Sequence, residues 1–356
     1  MPTFPADRLR QFAAELFRAS AVPADEAEVV ARGLVGANLA GHDSHGLIRI
    51  PQYLTALGEG RLKAGAALEV LHETPAVLAC DGGWGLGQVQ AHRLLRRLVP
   101  KARAAGVAAG TLKHCGHIGR LGEYAEAAAA EGLALFATVN NHGFGRAVAP
   151  PGGAAGRIGT NPLCLGVPTA PDEPPVVLDI GTSVCAEGKV RVAFNKGEPV
   201  PAGWLLDGEG RPTTDPGVLY REPRGTILPL GGPQAYKGFG LGLLLDMLAG
   251  GLSGAPCSRP EIGPLSANAV LFVLFDSTRF AGREHFQTEV TTLAANVRNC
   301  PLAADSLGVE LPGDPEQRAR GHRQAGGVRL DDGTWGQLTA LAERLGVAPP
   351  GNNGPS

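Results

Sequence analysis

The middle of the chain alternates between short apolar runs typical of strands and apolar spacing typical of helices, and few folds are compatible with this alternation. Short apolar runs, each bounded by Gly, Pro or polar residues, lie at 76–80, 107–112, 133–139, 176–180 and 269–276. Runs of this length between turn-forming residues predict β-strands. Helical patterns separate some of them, at 86–104, 119–131 and 238–252. The sequence therefore predicts an α/β domain built around a central sheet, over residues 76–284.

Both ends of the chain carry a helical pattern instead. Val30, Leu34 and Ala37 follow the i, i+4 and i+7 spacing of one helix face, and Pro51 predicts the start or a bend of a later helix. Residues 285–346 return to helical spacing, with a Pro and Gly break near 310–315. We therefore expect a helical region made from residues 1–75 together with residues 285–356.

The composition excludes several classes of protein. Hydrophobic residues make up 44% and charged residues 19% of the 356 residues, which is enough apolar material for a packed core. The net charge is -2 and there is no basic run, so we expect no nucleic-acid partner. The longest apolar stretch, 239–252, contains Asp246 and is too short to span a bilayer, so we expect no membrane partner.

Cysteine usage and the first residues bear on the compartment. The six cysteines are scattered and form no CxxC pair, which indicates reduced thiols rather than disulfides or a metal cluster. Residues 1–12 lack the apolar core of a signal peptide. We therefore expect a cytoplasmic protein.

Residues 41–53, GHDSHGLIRIPQY, bring together side chains suited to one kind of reaction. His45 and Arg49 are four residues apart and share a face if that stretch is helical, with Ser44 beside them. A neutral imidazole can exchange a proton with an oxygen, and a guanidinium can hold a carboxylate with two parallel hydrogen bonds. An enzyme acting on a 2-hydroxy or 2-oxo acid needs both groups. The alternative is a polar helix start, capped by Asp43 or Ser44, with His45 solvated.

A second segment, HIGRLGEY at 117–124, lies between a predicted strand and a predicted helix. His114 and His117 therefore follow the carboxyl end of a strand, where side chains commonly face a ligand crevice. The alternative for each is a loop histidine on the surface. With His42 and His45 they also make two HxxH pairs, which could supply nitrogen ligands to zinc. Since no HExxH occurs, we expect no metal and keep a zinc hydrolase as the weaker alternative.

Glycine-rich turns give weak evidence for a bound nucleotide. The turns near Gly85 and Gly238 both lack the full GxGxxG fingerprint, so any dinucleotide is bound in another way. Lys237 at a predicted helix start could meet a phosphate, although an exposed lysine is the ordinary alternative. A group of polar residues ends a predicted strand and could bond a ribose or a carboxamide, or form local turns. Its members are Asp179, Thr182 and Ser183.

Many ordered segments together resemble one family almost from end to end. They are GHDSHGLIRIPQYL, DGGWGLGQV, GHIGRLGEYAEAAA, VAPPGG, GTNPLCLGVP, VVLDIGTSV, NKGEPVPAGWLLDGEGRPTTDP, YKGFGL, the PGDPE segment at 312–316 and TWGQLTALAERLGV. The chain resembles the malate/L-lactate dehydrogenase family that is distinct from the Rossmann-type lactate and malate dehydrogenases. Members of that family include malate, sulfolactate, ureidoglycolate and 2-hydroxycarboxylate dehydrogenases.

The resemblance implies a fold and an activity. It implies a non-Rossmann NAD(P)-binding domain with a mostly antiparallel central sheet, which we assign to residues 76–284. The helical region would then serve substrate binding and dimerisation. The cofactor would be NAD or NADP, the substrate a small 2-hydroxy or 2-oxo carboxylic acid, and the enzyme a homodimer. The alternative on the same scaffold is reduction of a cyclic imino acid or a diketo sugar acid.

The resemblance also implies roles for individual residues. His45 would be the acid/base group with His117 as its close partner, and Ser44 and Arg49 would lie beside the substrate. The implied cofactor contacts are Asn141, Thr160, Asn161, Pro162, Asp179, Thr182, Ser183, Lys237, Gly238, Pro312, Gly313 and Asp314. Tyr236 replaces a histidine of the family, and Asn140 with Asn141 replaces its Asn-Ser pair. These two departures leave the choice between NAD and NADP open.

Overall fold

The computed structural model describes residues 1–142, 146–170, 173–260 and 267–351. Within them, the α-helices are α1 (Ala6–Ala19), α2 (Ala24–Leu39), α3 (Ile50–Gly58), α4 (Gly87–Ala105), α5 (Gly122–Ala130), α6 (Glu187–Lys196), α7 (Ala235–Ser253), α8 (Arg283–Arg298), α9 (Asp314–Gly326) and α10 (Asp332–Leu345). The helices predicted at 86–104, 119–131 and 238–252 correspond to α4, α5 and α7. Pro51 lies in the first turn of α3, where its missing N–H costs nothing.

The strands of the described residues are β1 (Thr3–Phe4), β2 (Glu69–Glu73), β3 (Val77–Gly85), β4 (Val107–Cys115), β5 (Ala134–Asn140), β6 (Leu163–Val167), β7 (Val176–Ile180), β8 (Leu205–Leu206), β9 (Pro212–Thr213), β10 (Thr226–Ile227), β11 (Asn268–Phe275) and β12 (Val328–Arg329). All five predicted strands are present. The prediction omitted β2, because its sequence EVLHE is an exposed edge with no apolar run. It also omitted β6 and the two-residue strands.

Seven strands form the central sheet in the order β2, β3, β4, β11, β5, β6, β7. The pairing of β3 with β4 is parallel, and the other five pairings are antiparallel. The α/β class is confirmed, and the sheet is mixed. Because β11 lies between β4 and β5 and is buried along most of its length, its run NAVLFVLF is almost continuously apolar.

The two ends of the chain meet in one helical core. Residues of α1, α2, α3 and α10 share this core, and β1 pairs with β12 beside it. A second core lies between α4, α5 and the central sheet. A third, smaller one lies around α6 and the sheet of β8, β9 and β10. The division of the chain into two domains stays a prediction. None of the described helices is both long enough and apolar enough to cross a membrane.

Candidate active site

A cavity of about 560 Å³ is lined by residues from the helical core and from the central sheet. The segment between α2 and α3 supplies one wall, and the segment between β4 and α5 supplies another. The turn before β6, the end of β7 and the start of α6 complete it. All four residues predicted to act on the substrate line this cavity: Ser44, His45, Arg49 and His117.

The segment with Ser44 and His45 is not an α-helix. Two short 3-10 turns, Asp43–His45 and Leu47–Arg49, are separated by Gly46, and α3 begins only after them. The condition for a shared helix face of His45 and Arg49 is therefore not met. Gly46 is needed here because an added Cβ would lie 2.2 Å from Oδ1 of Asn38, which accepts the N–H of Leu47.

The tertiary structure places two imidazoles side by side. The ring centroids of His45 and His117 are 5.4 Å apart, with their planes inclined by 28°. His45 Nδ1 lies 3.0 Å from Ser44 Oγ. His117 Nδ1 lies 2.6 Å from the Tyr53 hydroxyl and 3.4 Å from the backbone N of Gly119. Because a backbone N–H can only donate, Nδ1 of His117 is an acceptor and its Nε2 bears the ring proton.

Both imidazoles are neutral at pH 7. Burial, with a further contribution from the positive charge of Arg49, lowers the pKa of His45 to about 3. Burial likewise lowers the pKa of His117 well below its usual value of 6.5. Burial raises the pKa of Tyr53, so its hydroxyl stays protonated and can donate. The pair can therefore accept a proton from a hydroxyl and donate hydrogen bonds to an oxygen.

Arg49 is held in place on the same wall. Its Nε donates to the carbonyl oxygen of Ser44 at 2.7 Å, and its Nη1 donates to Gln52 Oε1 at 3.0 Å. These bonds fix the plane of the guanidinium beside the two histidines. A fixed guanidinium next to a proton carrier is suited to holding the carboxylate of a small acid.

Arg120 is a cavity residue to which the sequence analysis gave no role. It is 3% exposed, and its Nη2 donates to Glu126 Oε1 at 2.6 Å. Arg320, from α9, donates to both oxygens of Glu126 at 3.1 and 3.0 Å. The charge of Arg120 contributes to the low pKa of His45. Its position three residues after His117 is visible in the sequence, but that spacing does not show that Arg120 is buried on the cavity wall.

The first histidine of each HxxH pair, His42 or His114, lies against a carboxylate. Nε2 of His42 lies 3.0 Å from Glu316 Oε1, and Nδ1 of His114 lies 2.8 Å from Asp81 Oδ2. The four imidazoles thus do not converge on one point. In the part of the chain that the structure describes, no group of three or more His, Cys, Asp or Glu side chains could hold a metal ion.

Several of the expected cofactor contacts line the cavity: Asn141, Thr160, Asn161, Pro162, Asp179 and Ser183. Asp179 accepts the N–H of Gly122 at 2.7 Å, and burial raises its pKa. Thr182 is not on the wall. Its hydroxyl lies 3.1 Å from the carbonyl oxygens of both Thr160 and Asn161, so it shapes the turn that lines the cavity.

The remaining expected contacts lie off this wall. Lys237 is exposed on the first turn of α7, with its Nζ 5.9 Å from the ring centroid of Tyr236. Gly238 is buried against Leu230, where an added Cβ would lie 2.2 Å from the carbonyl oxygen. The turn at 312–314 sits beside the edge strand β7, because Val177 N–H donates to the carbonyl of Pro312. Gly313 and Asp314 begin α9.

Comparison with known proteins gives consistent matches over the whole chain. Residues 4–339 match the model of a family described as malate/L-lactate dehydrogenase. Hydroxycarboxylate dehydrogenase B of Escherichia coli K12 is 36% identical over 347 residues, covering 97% of this chain and 94% of that protein. The L-lactate dehydrogenase of Cupriavidus necator is 34% identical, covering 96% of this chain and 97% of that protein.

Solved structures agree with these matches. A putative malate/lactate dehydrogenase from E. coli is 35% identical, with a TM-score of 0.91 over 97% of this chain and 96% of that chain. The delta1-piperideine-2-carboxylate reductase of Pseudomonas syringae is 28% identical, with a TM-score of 0.81 over 96% of this chain and 100% of that chain. The similarity therefore extends to proteins named for different substrates, a hydroxy acid in one case and a cyclic imino acid in the other.

Proposed function

The chain belongs to the malate/L-lactate dehydrogenase family, and we propose that it is an oxidoreductase that moves hydride between a nicotinamide cofactor and C2 of a 2-hydroxy or 2-oxo carboxylic acid. The main support is the stacking of two half-buried, neutral imidazoles on a cavity wall that also holds a guanidinium. His45 and His117 supply proton transfer and hydrogen bonding, and Arg49 supplies recognition of a carboxylate. Relatives named hydroxycarboxylate, lactate and malate dehydrogenase support the same reaction class.

The cavity suits NAD or NADP, which takes up or supplies the hydride when it is bound. Asn161 contributes to its wall, and its buried Oδ1 has no hydrogen-bond donor among the described residues. Thr160, Asn141 and Ser183 add further polar groups. With no complete GxGxxG segment in the chain, we propose that these turns bind the cofactor in a non-Rossmann manner.

Arg49 orients the substrate in this proposal. Two parallel hydrogen bonds from its guanidinium to the carboxylate place C2 in a single orientation beside His45 and His117. The carboxylate also offsets the positive charge that helps to lower the pKa of His45. Substrate binding therefore makes the protonated imidazole easier to form, which the reduction of a 2-oxo acid requires.

His45 exchanges the hydroxyl proton in this proposal. For oxidation of a hydroxy acid, its Nδ1–H donates to Ser44 Oγ and its Nε2 lone pair accepts the substrate proton. His117 has the other tautomer, with its proton on Nε2, and donates a hydrogen bond to the same substrate oxygen. The two rings thus divide the work of base and hydrogen-bond donor.

A second candidate function is reduction of a cyclic imino acid or a diketo sugar acid on the same fold. The structural match to a piperideine-carboxylate reductase supports it. Arg49 would bind the carboxylate of either class, because both substrate types carry one beside the reacting carbon. The reacting bond is C=N in a cyclic imino acid and C=O in a 2-oxo or diketo acid.

A spectrophotometric panel tests these proposals. NADH and NADPH are each mixed with pyruvate, oxaloacetate, glyoxylate, phenylpyruvate and a cyclic imino acid, and loss of the reduced-nicotinamide absorbance is followed. The expected result is that one reduced cofactor is oxidised in the presence of a 2-oxo acid, which identifies the cofactor and the substrate together. Oxidation with the imino acid alone would select the second candidate. No cofactor binding by calorimetry would overturn both.

We also propose that the enzyme is a cytoplasmic homodimer. Leu244, Met247 and Leu252 on α7 are 59%, 51% and 59% exposed, and such a cluster of large apolar side chains on one helix suits a surface that associates. All six cysteines are free thiols, as expected in a reducing compartment. Light scattering after size exclusion should give twice the chain mass of 36.6 kDa.

A further inference from the structure

Asp246 is a buried carboxylate on α7 that the proposed reaction does not use. It is 1% exposed, and four donors surround it. Oδ1 accepts from Asn140 Nδ2 at 3.1 Å and from the backbone N of Ser258 at 3.0 Å. Oδ2 accepts from Asn161 Nδ2 at 2.9 Å and from Ser258 Oγ at 2.8 Å. A carboxylate saturated in this way is suited to orienting its neighbours and not to transferring a proton.

Two glycines bring Asp246 close to the site. Gly242 and Gly250 lie one helical turn before and after it, on the same face of α7. A Cβ on Gly242 would lie 2.5 Å from Thr182 Oγ1, and a Cβ on Gly250 would lie 2.9 Å from Asn140 Nδ2. Only glycine permits this close approach, which lets the short Asp246 side chain reach both asparagines.

The bonds to α7 determine which way the amide of Asn161 faces. Its Nδ2 donates to Asp246 Oδ2 and to the carbonyl of Gly242 at 3.0 Å, so both amide hydrogens are used. Its Oδ1 must then lie on the other side, where it has no donor among the described residues although it is buried. Leaving a buried acceptor unpaired is unfavourable, so a ligand that donates a hydrogen bond to it binds more tightly.

The same network continues to Ile118, the residue after His117. Asn140 donates to Asp246, and the backbone carbonyl of Asn140 accepts from Asn268 Nδ2 at 3.2 Å. Asn268 Oδ1 in turn accepts the N–H of Ile118 at 2.9 Å, next to His117. The network therefore ends near the part of the cavity where the reactive end of the cofactor must lie.

We propose that Asp246 is a positioning residue that fixes Asn161 with Oδ1 as a free acceptor, and that this acceptor recognises the amide N–H of the nicotinamide carboxamide. The inference rests on the proposed function, since it requires a nicotinamide cofactor. It concerns cofactor recognition and does not depend on which acid is the substrate. The carboxamide is the group of the reactive ring that can donate to a carbonyl oxygen.

The experiment compares NADH with its 3-acetylpyridine analogue, in which a methyl group replaces the amide NH2. Affinities are measured by calorimetry with the full-length protein, or with NADPH and its analogue if that cofactor is preferred. The wild type should bind the carboxamide form about 3- to 10-fold more tightly. Equal affinities for the two forms would overturn the inference, and no binding of either would overturn the proposed function with it.

Two variants separate positioning from general destabilisation. In Asp246→Asn, an NH2 donor replaces one carboxylate acceptor, so Asn161 is free to turn its own NH2 toward the cofactor. The ratio of the affinities for the carboxamide and acetyl forms should then fall to about 1 or reverse. Ser258→Ala removes a donor to the same carboxylate but leaves the Asn161 bond, so it should keep the wild-type preference. Asn161→Ala removes the acceptor and should abolish the preference even if Asp246→Asn does not fold. A preference retained in Asn161→Ala would show that another group recognises the carboxamide.

Discussion

The Tyr53 hydroxyl lies 2.6 Å from Nδ1 of His117, and this contact joins helix α3 to the end of strand β4. Together with the N–H of Gly119, it leaves Nδ1 of the ring as an acceptor and places the ring proton on Nε2. The ring of His117 is therefore held by a residue of the helical core, 64 positions away in the chain, and by its own neighbour Gly119.

Tyr53→Phe should lower turnover by about 5- to 10-fold, because one neutral hydrogen bond is worth about 1 kcal/mol. Cofactor affinity should stay unchanged, since Tyr53 contacts His117, which we propose takes part in the proton-transfer step. The control is Tyr124→Phe, which removes an equally buried hydroxyl that donates to a backbone carbonyl instead of an imidazole. Equal losses of turnover in both variants would contradict a specific role for Tyr53.

His45→Gln should lower kcat by about 10²- to 10⁴-fold, the usual contribution of a positioned acid or base. The Kd of the cofactor should remain within about twofold of the wild type, because the amide preserves polarity and size. The measurements are steady-state rates and calorimetry on the same preparation. His72→Gln, on an exposed edge strand, serves as the control. Turnover near the wild-type value would show that His45 is not the proton carrier.

Arg49→Lys should lower kcat/KM for carboxylate substrates by about 10- to 100-fold. A lysine keeps the charge but loses the two parallel hydrogen bonds that fix the carboxylate. Arg32→Lys, at an exposed position of α2, should behave like the wild type. If the variant retains full preference for 2-hydroxy acids over the corresponding neutral alcohols, the carboxylate is bound elsewhere.

Stability should fall as the pH drops below about 6.5. The unfolded chain protonates His45 near pH 6.5, whereas the native state resists protonation until about pH 3. Between these values the unfolded state binds more protons, so each such histidine costs about 1.4 kcal/mol per pH unit. Urea unfolding at pH 7.5 and 5.5 measures the free energy of unfolding. His45→Gln should reduce this pH dependence, and an unchanged dependence would argue against a His45 that stays neutral in the native state.

Glu126→Gln should destabilise the protein by about 3 kcal/mol or more. The carboxylate pairs with buried Arg120 and with half-buried Arg320, and its loss leaves the Arg120 charge without a partner in the protein interior. Thermal and urea unfolding measure the change. Glu59→Gln breaks an exposed pair with Arg61 and should cost less than about 1 kcal/mol. A loss of unfolding free energy as small in Glu126→Gln as in Glu59→Gln would mean that other groups balance the charge of Arg120.

Local patterns in the sequence predicted the elements well but their contacts poorly. The apolar runs of β4 and β11 and the spacing of α4 follow from interactions between near neighbours, which a sequence displays directly. The strand β2 was missed because an exposed edge strand needs no apolar run. The spacing of His45 and Arg49 suits one helix face, but segment 43–49 forms two short turns, and Asn38 accepts the N–H of Leu47 there, nine residues along the chain.

The sequence by itself determined the α/β class, the strands and helices that build the sheet, the family and the residue types available for chemistry. Only the tertiary structure decided that His45 stacks on His117, that Arg120 is buried on the same cavity wall and that Asp246 accepts a hydrogen bond from Asn161. These relationships depend on distances between segments far apart in the chain. Packing of helices against the sheet sets those distances, and burial in that packing changes the protonation of the histidines.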